Sequence, residues 1–412
     1  MTDPAPHRIG KPGPLAFHLN AGLACVVQAL LAAPNARSPD FPWSEELRAT
    51  AASWPDDPDQ MALAAEAARR LRAMLDGIRA WQTHPYRRGV KDPPAIWQSG
   101  TTRLLDYGHR AGAQTGAPVL VVPSLINRAY VLDLHEDCSL MRFMACRGLR
   151  PFLLDWGVPG PREAGYGISD YATARLLPAL AYVNGLTGRK AALLGYCMGG
   201  TIAAIFACRQ PEGLSALATL GAPYAFGHGR GMSGALRKAA RNLGAGNAAG
   251  ILESLASTFG FVPSELFQYL FAALNPVQAF VKFRRFAAMD MAGTEARHFV
   301  ALEDWLADAV PMSGAAARDI LVAWQLEDAL AAGNWSFMGA PVDLRDIALP
   351  ALVVTGQKDH IAPPDTADPL AAAIAGARHL KVASGHVGMI AGHAAPDSVW
   401  SPLADFLSRN AD

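Results

Sequence analysis

One segment restricts what this chain can fold into more than any other: Leu193-Leu194-Gly195-Tyr196-Cys197-Met198-Gly199-Gly200. The apolar run Ala191 to Leu194 leads in, and the small-residue run Thr201-Ile202-Ala203-Ala204 leads out. That order predicts a strand, a sharp turn with Cys197 at its tip, and a helix. Glycines two before and two after the tip let strand and helix approach without Cβ atoms between them. Serine is the usual residue at such a tip. A cysteine there points to thiolate chemistry, towards acyl transfer and away from ordinary ester hydrolysis.

Short apolar runs with β-branched residues recur at Pro118 to Pro123, Pro151 to Asp155, Ala191 to Gly195, Leu217 to Leu220, Ala351 to Thr355 and His379 to Val382. Helical stretches such as Ala172 to Leu186 lie between several of them. Continuous apolar strands alternating with helices predict an α/β fold, a mostly parallel sheet with helices on both faces. From Tyr224 to about Pro341 the strand signal stops, and apolar helices follow around Leu266 to Leu274 and Val277 to Phe286. This all-helical insertion falls between the sixth and seventh strands, where a cap would cover the turn. The N-terminal region also reads as helical. Its break at Pro55-Asp56-Asp57-Pro58-Asp59 precedes a long helix, Gln60 to Trp81, whose Arg69, Arg70 and Arg72 read as a solvated face. The predicted division is a helical N-terminal region at 1–96, core at 97–223, helical cap at 224–341 and core again at 342–412.

A chain of 412 residues can hold one large core and an added subdomain. Its formal net charge is zero and it has no basic patch interleaved with aromatics, which argues against a nucleic-acid partner. The five cysteines (Cys25, Cys138, Cys146, Cys197 and Cys208) are odd in number and lack CxxC spacing. They read as reduced thiols of a cytoplasmic protein. Leu15 to Ala33 follows Arg8 and Lys11 and has some of the character of a signal peptide, but His18, Asn20 and Gln28 interrupt it. A packed or surface-adsorbing helix with Leu15, Leu19, Val26 and Leu30 on one broad face is the favoured reading.

Two residues at later strand ends complete a catalytic set. Asp359 follows the strand Leu352 to Thr355, and His386 follows the next one, in Ser384-Gly385-His386-Val387-Gly388. A free thiol, with a pKa near 8.5, is only a few per cent ionised at neutral pH, so Cys197 needs His386 beside it and a helix N-terminus beneath it. Asp359 would orient the imidazole. Each residue alone has a bland explanation: a small buried thiol, a turn former, a satisfied histidine. Three consecutive strand ends in the order nucleophile, acid, histidine make the catalytic reading the stronger one. The oxyanion hole is expected from the backbone N–H of Met198 and of either Leu125 or Ile126, in the loop after the first apolar strand. His360 is expected to serve position only. His135, His379 and His393 lack metal-ligand spacing, and neither a metal nor a cofactor is expected.

These segments resemble the polyhydroxyalkanoate synthases of the α/β-hydrolase superfamily, particularly the class III catalytic subunit. Gly195-Tyr196-Cys197-Met198-Gly199-Gly200 matches the family pattern G-x-C-x-G-G. The loop Pro123 to Asn127 with Arg128 to Leu134, the stretch Leu154-Asp155-Trp156-Gly157 with Asp170-Tyr171, and the loops Lys358 to Pro364 and Gly385 to Gly388 are similar to family segments. The class III likeness lies in Gly339 to Ile347 and in the short length. The resemblance implies an α/β-hydrolase fold. It also implies transfer of a 3-hydroxyacyl group from coenzyme A to Cys197 and then onto a growing polyester chain, with release of coenzyme A. Under it His386 activates Cys197, and Asp359 helps activate the incoming 3-hydroxyl. Implied partners are 3-hydroxyacyl-CoA, the polyester chain or granule surface, and either a second synthase subunit or a homodimer.

Two alternatives stand beside it. A cysteine-dependent depolymerase or thioesterase shares the fold, although Gly199-Gly200 favours a synthase. A non-catalytic granule-associated partner would not need Cys197, Asp359 and His386 together.

Overall fold

The protein is described from a computed structural model covering residues 6–38, 40–55, 57–109, 113–209, 211–227 and 231–411. Within the predicted breaks and insertion, Asp56 and residues 228–230 lie outside the described residues. Eight strands join one sheet: β1 (Ala95–Ser99), β2 (Thr102–Asp106), β3 (Ala117–Val122), β4 (Leu149–Asp155), β5 (Ala191–Tyr196), β6 (Leu214–Leu220), β7 (Ala351–Gly356) and β8 (Arg378–Val382). Their order is β1-β2-β4-β3-β5-β6-β7-β8. β1–β2 and β2–β4 pair antiparallel, and every later pair is parallel. Successive strand residues point to opposite faces. All six residues of β5 and all six of β7 are buried, so both faces of the sheet are covered there.

All six apolar runs are strands of this sheet, and the insertion does fall between β6 and β7. Three expectations need correction. The boundary at 96 cuts into β1, because the β1–β2 hairpin begins at Ala95 and had no apolar alternation to announce it. The insertion is not wholly helical: Ser336–Phe337 pairs antiparallel with Ala340–Pro341. The chain also divides elsewhere, into one unit of residues 1–87 with 268–307 and another of 88–267 with 308–412. Part of the predicted cap therefore clusters with the N-terminal helices.

In the N-terminal unit, α1 (Leu15–Ala32), α2 (Glu45–Ala52) and α3 (Gln60–Thr83) come from the start of the chain. Asp59 caps α3, its carboxylate accepting from the amides of Met61 and Ala62 at 2.9 and 3.0 Å. The core gathers Val26, Met74, Ile78, Trp81, Phe280, Phe283 and Phe286. Gly77 lets α3 lie directly on the Gln278–Ala287 helix, for a Cβ there would run into the Phe283 carbonyl. By length and composition Leu15–Asn35, which is α1 with the turn that follows it, could cross a membrane. Here Leu15, Leu19 and Val26 face the core, while Leu23, Val27 and Leu31 are exposed.

Arg8 is wholly buried in the same unit. Its guanidinium donates to the carbonyls of Trp81, His84 and Tyr86 at 3.0, 2.7 and 3.0 Å, and to both carboxylate oxygens of Asp304 at 2.7 and 2.6 Å. One cation thus satisfies the carbonyls where α3 ends and neutralises a largely buried carboxylate. Lys11 donates to the Ala307 carbonyl. Both cations of the basic flank are thus engaged within this unit.

Candidate active site

β5 ends at Tyr196, and α4 (Met198–Ala207) begins two residues later with every residue buried. Cys197, between them, has φ 56° and ψ −132°. A non-glycine residue held in such a region costs about 1–3 kcal/mol and persists only where its surroundings over-determine it. Those surroundings are explicit. The Cys197 amide donates to the Leu220 carbonyl at 2.8 Å, and the Gly200 amide donates to the Cys197 carbonyl at 2.8 Å. A Cβ on Gly195 would strike the backbone of Gly199 and Gly200, and one on Gly199 would strike the carbonyls of Val122 and Pro123. The G-x-C-x-G-G spacing is a steric requirement of strand, turn and helix at this distance. The half-buried sulfur stands at the positive end of α4.

Asp359 and His386 arrive from the ends of β7 and β8. His386 Nδ1 and Asp359 Oδ2 are 2.7 Å apart, with both side chains buried. Asp359 Oδ1 accepts from the amides of Ile361 and Ala362 at 2.8 and 2.9 Å, so the carboxylate is fixed on both oxygens. A Cβ on Gly221, which follows the carbonyl that holds Cys197, would lie 3.2 Å from the His386 ring. The imidazole therefore packs against the segment that anchors the cysteine. Burial opposes a charged His386, but the Cys197 sulfur and the Asp359 carboxylate outweigh it and raise its pKa from 6.5 to about 10. The sulfur acts on the ring through its charge and through a side-chain hydrogen bond, and Nε2 is buried. Nδ1 is committed to Asp359, and Nε2 is the nitrogen left to exchange a proton.

The loop after β3 is held at several points. Trp156 Nε1 donates to the Pro123 carbonyl at 3.0 Å. The Val310 amide donates to the Ile126 carbonyl at 3.0 Å, and Asn127 bridges Ala309. The Ile126 amide is engaged, donating to Ser124 Oγ at 3.2 Å. No such bond is formed by the Leu125 amide among the described residues. The Met198 amide opens α4 and has no carbonyl one turn earlier to bond.

Cys197, Asp359 and His386 are thus brought together, and His360 is exposed outside the set. Sequence reasoning missed Tyr196, whose ring lies 5.2 Å from that of His386 and whose hydroxyl reaches the His386 carbonyl at 3.4 Å. It also missed the supporting role of Trp156, although the Asp155-Trp156-Gly157 motif carried the signal.

The chain is 28% identical over 332 residues to the poly(3-hydroxyalkanoate) polymerase subunit PhaC of Haloferax mediterranei, covering 77% of this chain and 64% of that one. It therefore spans less than two thirds of that relative's length. Identity to the subunit of the same name from Allochromatium vinosum is 25% over 328 residues, covering 78% and 89%. With the one from Synechocystis it is 27% over 280 residues, covering 67% and 72%. Residues 91–144 match the family model for the poly-beta-hydroxybutyrate polymerase (PhaC) N-terminus. Residues 118–392, which contain Cys197, Asp359, His386 and all but the first two strands of the sheet, match the alpha/beta hydrolase fold model, and the chain belongs to that family.

Proposed function

We propose that this protein is a polyhydroxyalkanoate synthase-like acyltransferase that polymerises 3-hydroxyacyl-CoA through an acyl-enzyme on Cys197. The observation that carries the reading is the division of labour on His386: Nδ1 is bound to Asp359, Nε2 is buried, and the Cys197 sulfur acts on the same ring. The names and coverage of the polymerase relatives support the substrate class.

In this mechanism His386 Nε2 takes the Cys197 proton, and the thiolate attacks the thioester carbonyl carbon. The oxyanion is met by the amides of Met198 and Leu125. We assign the second role to Leu125 because Ile126 spends its amide on Ser124. Collapse breaks the bond to coenzyme A sulfur, which leaves with the His386 proton as free coenzyme A. In the second half a 3-hydroxyl of another unit loses its proton to the His386–Asp359 pair and attacks the acyl-Cys197 carbonyl. An ester forms, and the Cys197 thiolate is released. Two fixed oxygens on Asp359 suit it to holding imidazolium in both halves.

The test is to supply purified protein with 3-hydroxybutyryl-CoA and follow thiol release together with insoluble polyester. Both are expected, and Cys197→Ala abolishes both. Thiol release with free hydroxy acid as the sole product would overturn the synthase reading in favour of a thioesterase. Polymer formed only after a second synthase subunit is added would assign that subunit as an obligatory partner.

A further inference from the structure

The N-terminal unit contains a cavity of about 340 Å³, within the usual range for small-molecule sites of about 300–1,000 Å³. The proposed chemistry at Cys197 makes no use of it. Its walls are apolar and aromatic: Val26 and Leu30 of α1, Leu47 of α2, Trp43, Trp54 and Phe280. Among this lining, Trp54 Nε1 is buried without a hydrogen-bond partner.

The charged part of the lining is Glu66 and Arg70 on α3. Glu66 is shared, accepting from Arg69 at 2.6 Å and from Arg70 at 2.7 Å. A third cation stands nearby, since the Arg284 guanidinium lies 5.0 Å from the centre of the Phe280 ring that walls the cavity. Burial, and then the charges of Arg70 and Arg69, lower the Arg284 pKa. Two guanidinium groups therefore bind one carboxylate at the edge of an apolar hollow, with a third, on Phe280, within electrostatic range of them. Arg69 is exposed and Arg70 half-exposed, and both spend their ion pair on this same carboxylate.

We propose that this cavity binds a single-chain aliphatic carboxylate, with the alkyl chain among the Val26, Leu30 and Trp43 side chains and the carboxylate against Arg70 and Arg284. Apolar burial supplies most of the affinity for such a ligand, and the cations select the sign of its head group. Trp54 Nε1 offers a donor to an oxygen carried on the chain. The free, half-buried Cys25 lines the same space and reports its occupancy.

The experiment uses the full chain and decanoate, with 1-decanol and decyltrimethylammonium as neutral and cationic counterparts. Calorimetry is expected to show saturable binding of decanoate, and peptide mapping to show Cys25 protected from N-ethylmaleimide. Decyltrimethylammonium should do neither. Arg70→Gln combined with Arg284→Gln should weaken decanoate at least tenfold, about 1.4 kcal/mol, while leaving decanol unchanged. Ala29→Phe, which fills the hollow from its exposed side, should weaken decanoate and decanol alike. Thermal melts matching the parent protein show that the variants are folded. The proposal is overturned if decanoate below its micelle concentration fails to protect Cys25, if the cationic amphiphile protects equally, or if neither variant changes the affinity. The reaction at Cys197 stands or falls separately from this result.

Discussion

The Cys197 turn and the Arg8 cluster are each held by backbone carbonyls, but they reach them in opposite ways. Around Cys197 the residues that must be small, Gly195, Gly199 and Gly200, all lie within three positions of the cysteine, although the carbonyls of Val122, Pro123 and Leu220 that they and the cysteine meet come from neighbouring strands, and strain is confined to one residue. Around Arg8 a single side chain collects carbonyls more than 70 positions away and a carboxylate 296 positions away. The first arrangement can be written as a motif. The second cannot, since any buried cation with enough acceptors would serve, and its acceptors come from wherever the chain returns.

The comparison can be broken or sharpened by substitution. Cys197→Ala should reduce coenzyme A release from 3-hydroxybutyryl-CoA by about 10⁵-fold or more, the scale of losing a covalent nucleophile. A residual rate much above that would show that the elbow is not where the acyl group is carried. Asp359→Asn should cost about 10²–10⁴-fold in kcat. If Asp359 also activates the incoming hydroxyl, rapid-quench measurements should show elongation slowed more than acylation of Cys197. Equal losses would leave it a purely orienting role.

The same variant carries a pH signature. The His386 pKa is raised from 6.5 to about 10 in the folded protein, so its stabilising contribution is complete below pH 6.5 and disappears as the pH rises towards 10. The Tm difference between wild type and Asp359→Asn should accordingly be largest below pH 6.5 and shrink towards pH 10. A difference that grew with pH would mean that His386 is neutral in the fold.

Arg8→Met should remove about 3 kcal/mol of stability by leaving Asp304 and three carbonyls without their donor, measured by denaturant unfolding. Its effect on kcat/KM should stay within about threefold, because the hydrogen-bond partners of Arg8 all belong to the N-terminal unit. A loss of activity as large as that of Asp359→Asn would erase the contrast between the two regions. The smallest effect is expected from Ser124→Ala, within about threefold in kcat, because the hydroxyl only occupies the Ile126 amide. A gain or loss of about tenfold would reassign the oxyanion donor from Leu125 to Ile126.

Much of the catalytic region is legible in the amino-acid sequence. The buried parallel strands announce themselves as unbroken apolar runs because both faces are covered. Asp359 and His386 can be picked out because strand ends are where such a sheet presents its chemistry. The β1–β2 hairpin escapes because Ala95 to Ser99 carries no alternation, and its residues are half-buried or exposed. Arg69, Arg70 and Arg72 read as one solvated face. Arg70 in fact lines a cavity, because α2 and the Gln278–Ala287 helix return to cover the apolar side of the same helix.

The sequence alone determined the elbow, the place of each candidate catalytic residue just after a strand and the alternation of strands with helices, since each is read over a few residues at a time. Tertiary structure alone decided which amide after β3 remains unspent, that Tyr196 lies against His386, and that Arg8 is an internal tie. Those outcomes depend on which distant groups compete for the same hydrogen-bonding partners, and that competition is settled only when the chain has closed on itself.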